Sequence, residues 1–294
     1  MMSELKTIKI AGKSNASLLV NRLGYGTMRL TGKGIYGEPP NRPEALQILK
    51  EAVNSGINFF DTADYYGEDV TNRLIAEALY PYPADMVICT KVGGARKPDK
   101  SWIAHNSPGN IRSSIENNLR TLKLEQITLV HFRAIGGVGT PFEESMEAMF
   151  ELQKEGKILH VGVSNVTRDQ LETAMTMGEI ATVENMYGHA QRTTHRAGHM
   201  ESNGGEEVLD ICEKNGIPLI PYFSLFLSMP KKDERIATIA KKYGISEVQA
   251  NIAWLLHRSP WILPIPGTSS LAHFQENLKA ADIVLTQEDM DYLG

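Results

Sequence analysis

Reactive side chains follow three successive apolar segments of this chain, each at the point where the segment ends. They are Asp61 and Tyr66 after residues 58–60, Lys91 after residues 86–90, and His131 after residues 127–130. Short apolar runs of this kind are typical of buried parallel strands. Because the carboxyl ends of the strands in a parallel barrel open onto one face, we expect these side chains to share one pocket. A carboxylate, a phenol, an ammonium and an imidazole in one pocket are equipped for proton transfer.

The rest of the chain repeats one theme, in which a short apolar run is followed by a loop and an amphipathic helix. Strands are predicted at residues 22–24, 58–60, 86–90, 127–130, 158–163, 181–183, 217–221 and 261–264. Helices are predicted at residues 43–55, 71–79, 108–122, 142–155, 168–177, 206–215, 232–242, 246–257 and 271–280. Ahead of them, residues 7–10 and 17–20 alternate around a polar turn at 12–15, which predicts a β-hairpin.

These elements favour an α/β fold of one domain over residues 1–294, a (β/α)8 TIM barrel with an N-terminal β-hairpin. The typical length of such a barrel is about 250 residues, which this chain accommodates. A doubly wound open sheet is the alternative. It is less favoured because no Gly-x-Gly-x-x-Gly motif opens the first helix.

Composition and charge narrow the class of protein. The chain is 42% hydrophobic and 22% charged, as in a globular enzyme. Its net charge of −5, without a basic cluster, gives no reason to expect a nucleic-acid partner. No membrane partner is expected, because no apolar run approaches the roughly 20 residues of a membrane helix. Cys89 and Cys212 lie far apart, and together with an N-terminus that lacks a signal-peptide core they indicate a reducing, cytoplasmic location.

Six short motifs add a family resemblance to this pattern. They are Leu23-Gly24-Tyr25-Gly26-Thr27-Met28, Asp61-Thr62-Ala63-Asp64-Tyr65-Tyr66-Gly67, Thr90-Lys91, Leu129-Val130-His131, Gly162-Val163-Ser164-Asn165 and Pro264-Ile265-Pro266-Gly267-Thr268-Ser269. In order and in spacing they resemble the aldo-keto reductases. Further phrases at residues 21–26, 77–82 and 265–270 resemble a bacterial subgroup called pyridoxal-reductase-like. The resemblance implies NADPH-dependent reduction of an aldehyde or ketone, with pyridoxal to pyridoxine among the candidate reactions.

The resemblance assigns catalytic roles that chemistry supports. Tyr66 would be the general acid, and the Lys91 ammonium would lower its pKa, since a phenol near pKa 10 is a weak acid at neutral pH. Asp61 would hold and compensate Lys91, and His131 would donate a hydrogen bond to the carbonyl oxygen. Each residue alone also has an ordinary reading, as a turn cap, a surface lysine or a barrel-mouth histidine. Tyr65 is a neighbouring alternative, but the family pattern places the acid directly before Gly67.

The cofactor implied by the resemblance is NADPH, with NADH left open. The residues implied to bind it are Gly26, Thr27, Met28, Asp61, Ser164, Asn165, Glu184, Tyr222, Ser224, Leu225, Gly267, Thr268, Ser269, His273, Glu276 and Asn277. Two departures from the family pattern stand out. Glu184 replaces the usual Gln beside the nicotinamide, and Gly267 and His273 stand where a Lys and an Arg commonly bind the 2′-phosphate.

The expected partner is a small-molecule carbonyl substrate, and the expected pocket is aromatic. Side chains that would line it are Tyr36, Trp102, His105, Phe132, Arg133 and His189. Two other functions compete with this reading. One is a nicotinamide-binding sensor or partner subunit with little turnover. The other is a metal-dependent hydrolase using His189, His195 and His199, although their spacing matches no zinc pattern, so no metal is expected.

Overall fold

Strands and helices alternate along the chain as the sequence predicts. The computed structural model describes residues 7–11, 16–135, 139–192, 195–197, 200–202, 205–225 and 234–294. Its strands are β1 Thr7–Ile10, β2 Leu18–Asn21, β3 Tyr25–Gly26, β4 Phe59–Asp61, β5 Val87–Arg96, β6 Trp102–His105, β7 Ile127–Arg133, β8 Ile158–Ser164, β9 Val183–Met186, β10 His195–Ala197, β11 Met200–Ser202 and β12 Leu219–Tyr222.

The α-helices lie between these strands and after them. They are α1 Arg42–Asn54, α2 Val70–Leu79, α3 Pro108–Leu122, α4 Phe142–Lys154, α5 Arg168–Met177, α6 Glu206–Asn215, α7 Glu234–Tyr243, α8 Glu247–Arg258, α9 Leu271–Lys279 and α10 Gln287–Leu293. Several begin at side-chain caps that the sequence encodes, such as the capping box in which Thr167 and Gln170 satisfy each other's backbone amides. Within the described ranges, none of the helices is long and apolar enough to cross a membrane.

The central sheet is parallel and runs in the order β12-β9-β8-β7-β5-β4-β3. Residues 261–264, predicted as the eighth strand, pair with β12 only through a bridge between Leu219 and Ile262. The same segment reaches the first strand, because the amide of Gly24 donates to the carbonyl of Pro264 at 2.9 Å. The ring is thereby closed, and the predicted barrel is confirmed. The eighth strand is short because Pro264 has no N–H with which to continue the ladder.

Two strands have other boundaries than the sequence predicts. The first strand lies at Tyr25–Gly26 rather than at 22–24, and the side chain of Arg22 instead donates to the carbonyls of Ser259 and Ile262. In the middle of the chain, β5 runs to Arg96, well past the predicted end at residue 90. Its second half pairs antiparallel with β6, which the sequence analysis does not predict.

The predicted N-terminal hairpin is confirmed, and it closes one end of the barrel. Strands β1 and β2 pair antiparallel, with Ile8 opposite Val20. Their buried side chains pack in one apolar cluster with residues from the barrel strands: Phe59, Val87, Cys89, Leu129, Ile220 and Leu263. Phe59 and Val87 are the first residues of β4 and β5, so the hairpin covers the amino ends of the strands. Access to the barrel interior is therefore from the carboxyl ends.

A buried polar network joins β4 and β5 to the helices outside them. Asn118 of α3 accepts from the Thr90 hydroxyl at 2.7 Å and from the Asn72 amide at 2.9 Å, and it donates to the carbonyl of Ser114 at 2.8 Å. Asn72 also accepts from the Thr62 hydroxyl at 2.9 Å. Thr62 and Thr90 directly flank Asp61 and Lys91 in sequence. The network thus fixes the backbone that carries those two side chains.

We expect Asn118→Ala to lower the free energy of unfolding by about 3 kcal/mol, because it strands buried donors of Thr90 and Asn72. Urea denaturation of both proteins measures this difference. Asn117→Ala is the matched control on the same helix, where the half-buried side chain bonds Asp69 and Arg120, and its cost should stay under about 1 kcal/mol. Equal losses in the two variants would show that the network adds no more than a surface hydrogen bond.

Candidate active site

Lys91 is the centre of a buried charged cluster inside the barrel. It is fully buried at the middle of β5, and it ion-pairs with Asp61 at the end of β4. Its ammonium also donates to the carbonyl of Thr62 at 3.1 Å and lies 3.3 Å from a carboxylate oxygen of Glu184 on β9. Two hydrogen bonds and a second ion pair thus surround the ammonium of Lys91. The sequence prediction that Asp61 holds Lys91 agrees with this contact, and Glu184 is a second anionic partner.

Asp61 and Glu184 share one ammonium in a buried site, and each carboxylate affects the pKa of the other. Burial and the neighbouring Glu184 raise the pKa of Asp61 to about 8 against the attraction of Lys91. Burial also opposes ionisation of Glu184, but Lys91 and His131 outweigh it and lower the pKa of Glu184 to about 2. The Lys91 ammonium therefore lies between one carboxyl whose pKa is raised and one whose pKa is lowered, and its charge offsets part of the cost of burying them.

His131 lies in this cluster with both ring nitrogens engaged. Nδ1 is 2.9 Å from a carboxylate oxygen of Glu184, and Nε2 is 2.6 Å from the hydroxyl of Thr182. Burial lowers the pKa of His131, so the ring is neutral, with Nδ1–H donating to Glu184 and Nε2 accepting from Thr182. The ring reaches Thr182 because Gly162 lacks a side chain, and a Cβ there would lie 2.3 Å from the ring.

The arrangement of His131 corrects one sequence prediction. A hydrogen bond from His131 to a substrate carbonyl needs a free ring N–H, and the neutral ring has its single N–H committed to Glu184. Thr182 was missed by the sequence analysis, although it lies directly before β9 and two residues before Glu184. His131 is better described as a residue that orients Glu184 than as a donor to the carbonyl.

Tyr66 lies directly over the cluster. Its side chain is 7% exposed, and the Lys91 ammonium is 5.0 Å from the centre of its ring. Burial raises the pKa of Tyr66 above its ordinary value of 10, while Lys91 and Arg133 both act to lower it. Lys91 therefore acts on the pKa of Tyr66 in the predicted direction, but burial has the larger effect and the pKa stays raised. Tyr66 is consequently a fully protonated phenol at neutral pH.

Tyr65 is the second phenol of the pocket mouth. Its ring meets that of Tyr66 edge to face at 5.4 Å, and it meets Trp102 of β6 in the same way at 5.4 Å. The Tyr65 hydroxyl is buried and has no hydrogen-bond partner among the described residues. Met28 and Ile35 pack against the same tyrosine pair.

The residues predicted to bind a nicotinamide meet at the ends of β8 and β12. Tyr222 donates from its hydroxyl to the side chain of Asn165 at 2.8 Å, and Asn165 in turn donates to the carbonyl of Ala134 at 2.8 Å. Asn165 takes a left-handed backbone with φ of 58°, which turns its side chain back over the strand ends. Ser224 and Leu225 follow Tyr222 in a turn.

Arg133 occupies the space between these residues. Its guanidinium lies 4.9 Å from the centre of the Tyr222 ring, and it donates to the Ser164 hydroxyl at 3.2 Å. The aromatic face of Tyr222 and the hydroxyl of Ser164 thus already hold a planar cationic group. An oxidised nicotinamide is also planar and cationic, so the seat is chemically suited to it.

The predicted phosphate and adenine residues lie at the other edge of the mouth. Gly267 packs on the backbone of Gly26, where a Cβ would lie 2.4 Å from the Gly26 carbonyl oxygen. Thr27 donates to the carbonyl of Asp61 through its amide and its hydroxyl, both at 2.9 Å. Thr268 and Ser270 shape the start of α9, with Ser270 as its N-cap. Around them, Ser269 and His273 are exposed, Glu276 is half-buried and Asn277 is buried.

A carboxylate that the sequence analysis does not predict lies at the start of α9. Glu44 of α1 accepts from the backbone amide of Leu271 at 3.0 Å. A helix N-terminus attracts anions, and it is where the resemblance expects a phosphate. Glu44 occupies part of that anion site.

Two of the predicted pocket residues lie elsewhere. Phe132 alternates with His131 and Arg133 along β7, so its ring faces outward and packs 5.8 Å from Phe142 of α4. His189 donates from Nε2 to the carbonyl of Leu293 at 3.0 Å, and its ring packs on Trp254. Trp102 does lie at the mouth, while Tyr36 and His105 are half-buried beside it.

The alternative of a metal site at the loop histidines falls largely outside the described residues. The side chain of His195 and all of His199 lie outside the described residues. Ligand atoms of Asp61, Cys89 and His131 do lie within 4.8 Å of one another. However, the Lys91 ammonium already occupies the cation position beside Asp61, and burial raises the pKa of the Cys89 thiol, which disfavours a thiolate ligand.

Comparison with known proteins places this barrel and its cluster in a family. The profile of the Aldo/keto reductase family matches residues 22–294, so the chain belongs to that family. Pyridoxine 4-dehydrogenase of Escherichia coli strain K12 is 40% identical to it over 279 residues, which cover 93% of this chain and 94% of that protein.

Solved structures of aldo-keto reductases share the fold. A thermostable member bound to the inhibitor epalrestat superposes with a TM-score of 0.80 at 28% identity, covering 98% of each chain. A member from Klebsiella pneumoniae in complex with NADPH superposes with a TM-score of 0.77 at 25% identity, covering 99% of this chain and 94% of that one. The chain is therefore an NAD(P)H-dependent oxidoreductase of this family.

Proposed function

We propose that this protein reduces an aldehyde or ketone to an alcohol with NADPH, and that Tyr66 donates the proton. The observation that carries the proposal is the buried Lys91 between Asp61 and Glu184, with the Tyr66 phenol directly above it. Family membership and the NADPH complex of the Klebsiella pneumoniae relative support the choice of cofactor.

Bound NADPH supplies the hydride, and the residues of the chain manage the proton. The carbonyl oxygen becomes an alkoxide, which is a far stronger base than a phenolate. A neutral Tyr66 can therefore protonate it even though burial raises the pKa of Tyr66. The phenolate that remains is stabilised by the positive charges of Lys91 and Arg133. Asp61 and Glu184 hold Lys91 in place during this transfer.

We divide the nucleotide-binding roles as follows in this proposal. Ser164, Asn165 and Tyr222 would hold the nicotinamide, and Glu184 would accept from its carboxamide through whichever lone pairs Lys91 and His131 leave free. Ser224 and Leu225 would offer backbone amides to the pyrophosphate. The adenosine half would lie along Gly26, Thr27 and Met28 and against the segment from Gly267 to Asn277.

Pyridoxal is the substrate that we propose first. Its support is the 40% identity to pyridoxine 4-dehydrogenase, together with an aromatic mouth formed by Tyr65, Tyr66 and Trp102. We also propose a reducing compartment such as the cytoplasm, because Cys89 and Cys212 are both free and buried.

We expect NADPH to bind more tightly than NADH by a modest margin, because Glu44 opposes a phosphate at the start of α9. Glu44→Gln should raise the preference for NADPH about tenfold, which corresponds to removing one like charge near the phosphate. Fluorescence titration with both nucleotides measures the two dissociation constants. Glu51→Gln, the same change further along α1, should leave their ratio unaltered. An unchanged ratio in Glu44→Gln would place the phosphate elsewhere.

The decisive experiment for the function is a single turnover. The protein saturated with NADPH is mixed with pyridoxal, and absorbance of the reduced nicotinamide is followed. Rapid loss of absorbance with formation of the alcohol is expected for a reductase. Tight NADPH binding with no oxidation by pyridoxal or by a panel of simple aldehydes would instead favour a nicotinamide-binding sensor subunit.

A further inference from the structure

Arg133 stands above the charged cluster, on the side where a substrate must enter. His131 and Arg133 are two residues apart on β7, so both point to the same face of the strand, with Arg133 nearer the mouth. His131 pairs with Lys91 across the sheet, so Arg133, two residues further along β7, lies above the layer that contains Lys91. Its charge is felt at the mouth, because it acts to lower the pKa of both Tyr65 and Tyr66.

This guanidinium has no anionic partner among the described residues, since none of their carboxylate oxygens lies within 4.0 Å of Arg133. Glu184 is the carboxylate whose charge acts on Arg133, and its oxygens already contact Lys91 and His131. Arg133 has five N–H donors, and the Ser164 hydroxyl and the Tyr222 ring satisfy only part of them.

The contacts that Arg133 does make conflict with the proposed cofactor seat. A nicotinamide bound to Ser164 and stacked on Tyr222 would take both of them. Arg133 would then lose its contacts with Ser164 and Tyr222. Its charge would be half-buried with no anion among the described residues to pair with, and this costs free energy. The ligand beside the nicotinamide is then the natural source of the missing negative charge.

A second unsatisfied donor lies in the same mouth. The buried Tyr65 hydroxyl has no acceptor among the described residues, although a buried donor normally finds one. The Trp102 ring, which is 44% exposed, packs edge to face on Tyr65. A buried phenol without a described acceptor and a half-buried guanidinium without a described anion, both beside the proton donor Tyr66, indicate a site for an anionic oxygen.

We infer that Arg133 selects substrates in which an ionised oxygen stands next to the reacting carbonyl, with Tyr65 as a weaker second donor. The class is small aromatic aldehydes that carry a phenolate or carboxylate in the ortho position. The inference rests on the proposed function, and it names the chemistry of the substrate rather than the reaction.

Matched aldehydes test this inference by their kcat/KM values with NADPH. Pyridoxal carries the ortho oxygen and pyridine-4-carbaldehyde lacks it, and 2-formylbenzoate and benzaldehyde form the carboxylate pair. The 4-formylbenzoate ion is the control with the same charge in the wrong place. The wild-type protein should favour the ortho anion by at least about tenfold in one pair or both, and the pair that shows it identifies phenolate or carboxylate as the preferred group.

Arg133→Met should reduce that preference about 10- to 100-fold, the range expected for losing hydrogen bonds to a charged group. Its kcat/KM for benzaldehyde should also fall, because Arg133 stabilises the Tyr66 phenolate, but by a smaller factor than its kcat/KM for 2-formylbenzoate. Tyr65→Phe should weaken the preference by a smaller factor. Arg96→Met is the matched control, because Arg96 also stacks on an aromatic ring, that of Trp102 at 4.2 Å, and it should leave the preference unchanged.

Several results would overturn the inference. They are no preference for either ortho anion, equal preference for 4-formylbenzoate, or an equal loss for charged and neutral aldehydes in Arg133→Met. Binding keeps the test independent of turnover, because Trp102 fluorescence can follow titration with 2-formylbenzoate and benzaldehyde in the presence of NADP+. If no aldehyde is reduced, the proposed function fails. The anion site would still be upheld if 2-formylbenzoate binds more tightly than benzaldehyde and Arg133→Met abolishes that difference.

Discussion

Tyr66→Phe should reduce kcat for carbonyl reduction by about 10²- to 10⁴-fold while leaving the dissociation constant of NADPH nearly unchanged. The change removes only the hydroxyl, so the ring keeps its packing against Tyr65 and its position over Lys91. Without it, the alkoxide must take a proton from water in a site where the phenol is 7% exposed. Steady-state kinetics and fluorescence titration on the same preparation measure both quantities.

The control for this prediction is Tyr82→Phe. Tyr82 donates to the carbonyl of Leu122 at 2.7 Å outside the barrel interior, so the variant loses a similar hydrogen bond without touching the pocket. It should turn over like the wild-type protein. Wild-type turnover in Tyr66→Phe would remove the phenol from the mechanism and leave the proton to another donor.

Lys91→Met should abolish measurable turnover and also destabilise the fold by about 3–5 kcal/mol, which is the usual cost of removing one partner from a buried ion pair. Methionine keeps the length of the side chain, but it leaves the carboxylates of Asp61 and Glu184 buried beside each other without a cation. The phenolate of Tyr66 also loses the nearer of its two stabilising charges. Denaturant unfolding and single-turnover rates test the two losses separately.

The instability of Lys91→Met should depend on pH in a definite direction. Lys91 is the largest influence that lowers the pKa of Glu184, so its removal raises the pKa of that carboxyl in the folded protein. A carboxyl whose folded pKa is lowered adds stability above its unfolded pKa, and one whose folded pKa is raised loses stability as pH rises. The difference from wild type should therefore be smaller near pH 4 than near pH 8.

Asp61→Asn in the Lys91→Met background separates charge from packing. Removing one of the two carboxylates should recover part of the stability at pH 8 and little at pH 4, because only the ionised form is penalised. Turnover should not return. Equal destabilisation at both pH values would mean that the cost comes from packing alone.

The sequence predicts much of this architecture because the barrel depends on regular patterns. Alternation of short apolar runs with amphipathic helices locates β4, β7 and β8 closely, and their order brings Asp61, Lys91 and His131 together. The eighth strand was overestimated because the pattern at residues 261–264 is apolar, while Pro264 prevents it from pairing as a full strand. Apolar periodicity does not report how many ladder bonds a segment can make.

The details of the site depend on contacts that periodicity does not encode. The sequence shows Glu184 as a departure from the family pattern, but not that it bonds both Lys91 and His131. Nor does it show that burial outweighs Lys91 at Tyr66, since that balance depends on the exposed fraction of the phenol. Glu44 reaches the start of α9 from a helix 227 residues away in sequence, and no local signal marks that contact.

The hairpin of β1 and β2 constrains the order in which ligands can exchange. Because it covers the amino ends of the strands, the two ligands of the proposed reaction reach the cluster around Lys91 through the same opening. A ligand seated deep in that opening can leave only after whatever lies above it has left. The ligand that binds last must therefore leave first. An excess of the outer ligand should slow the release of the inner one.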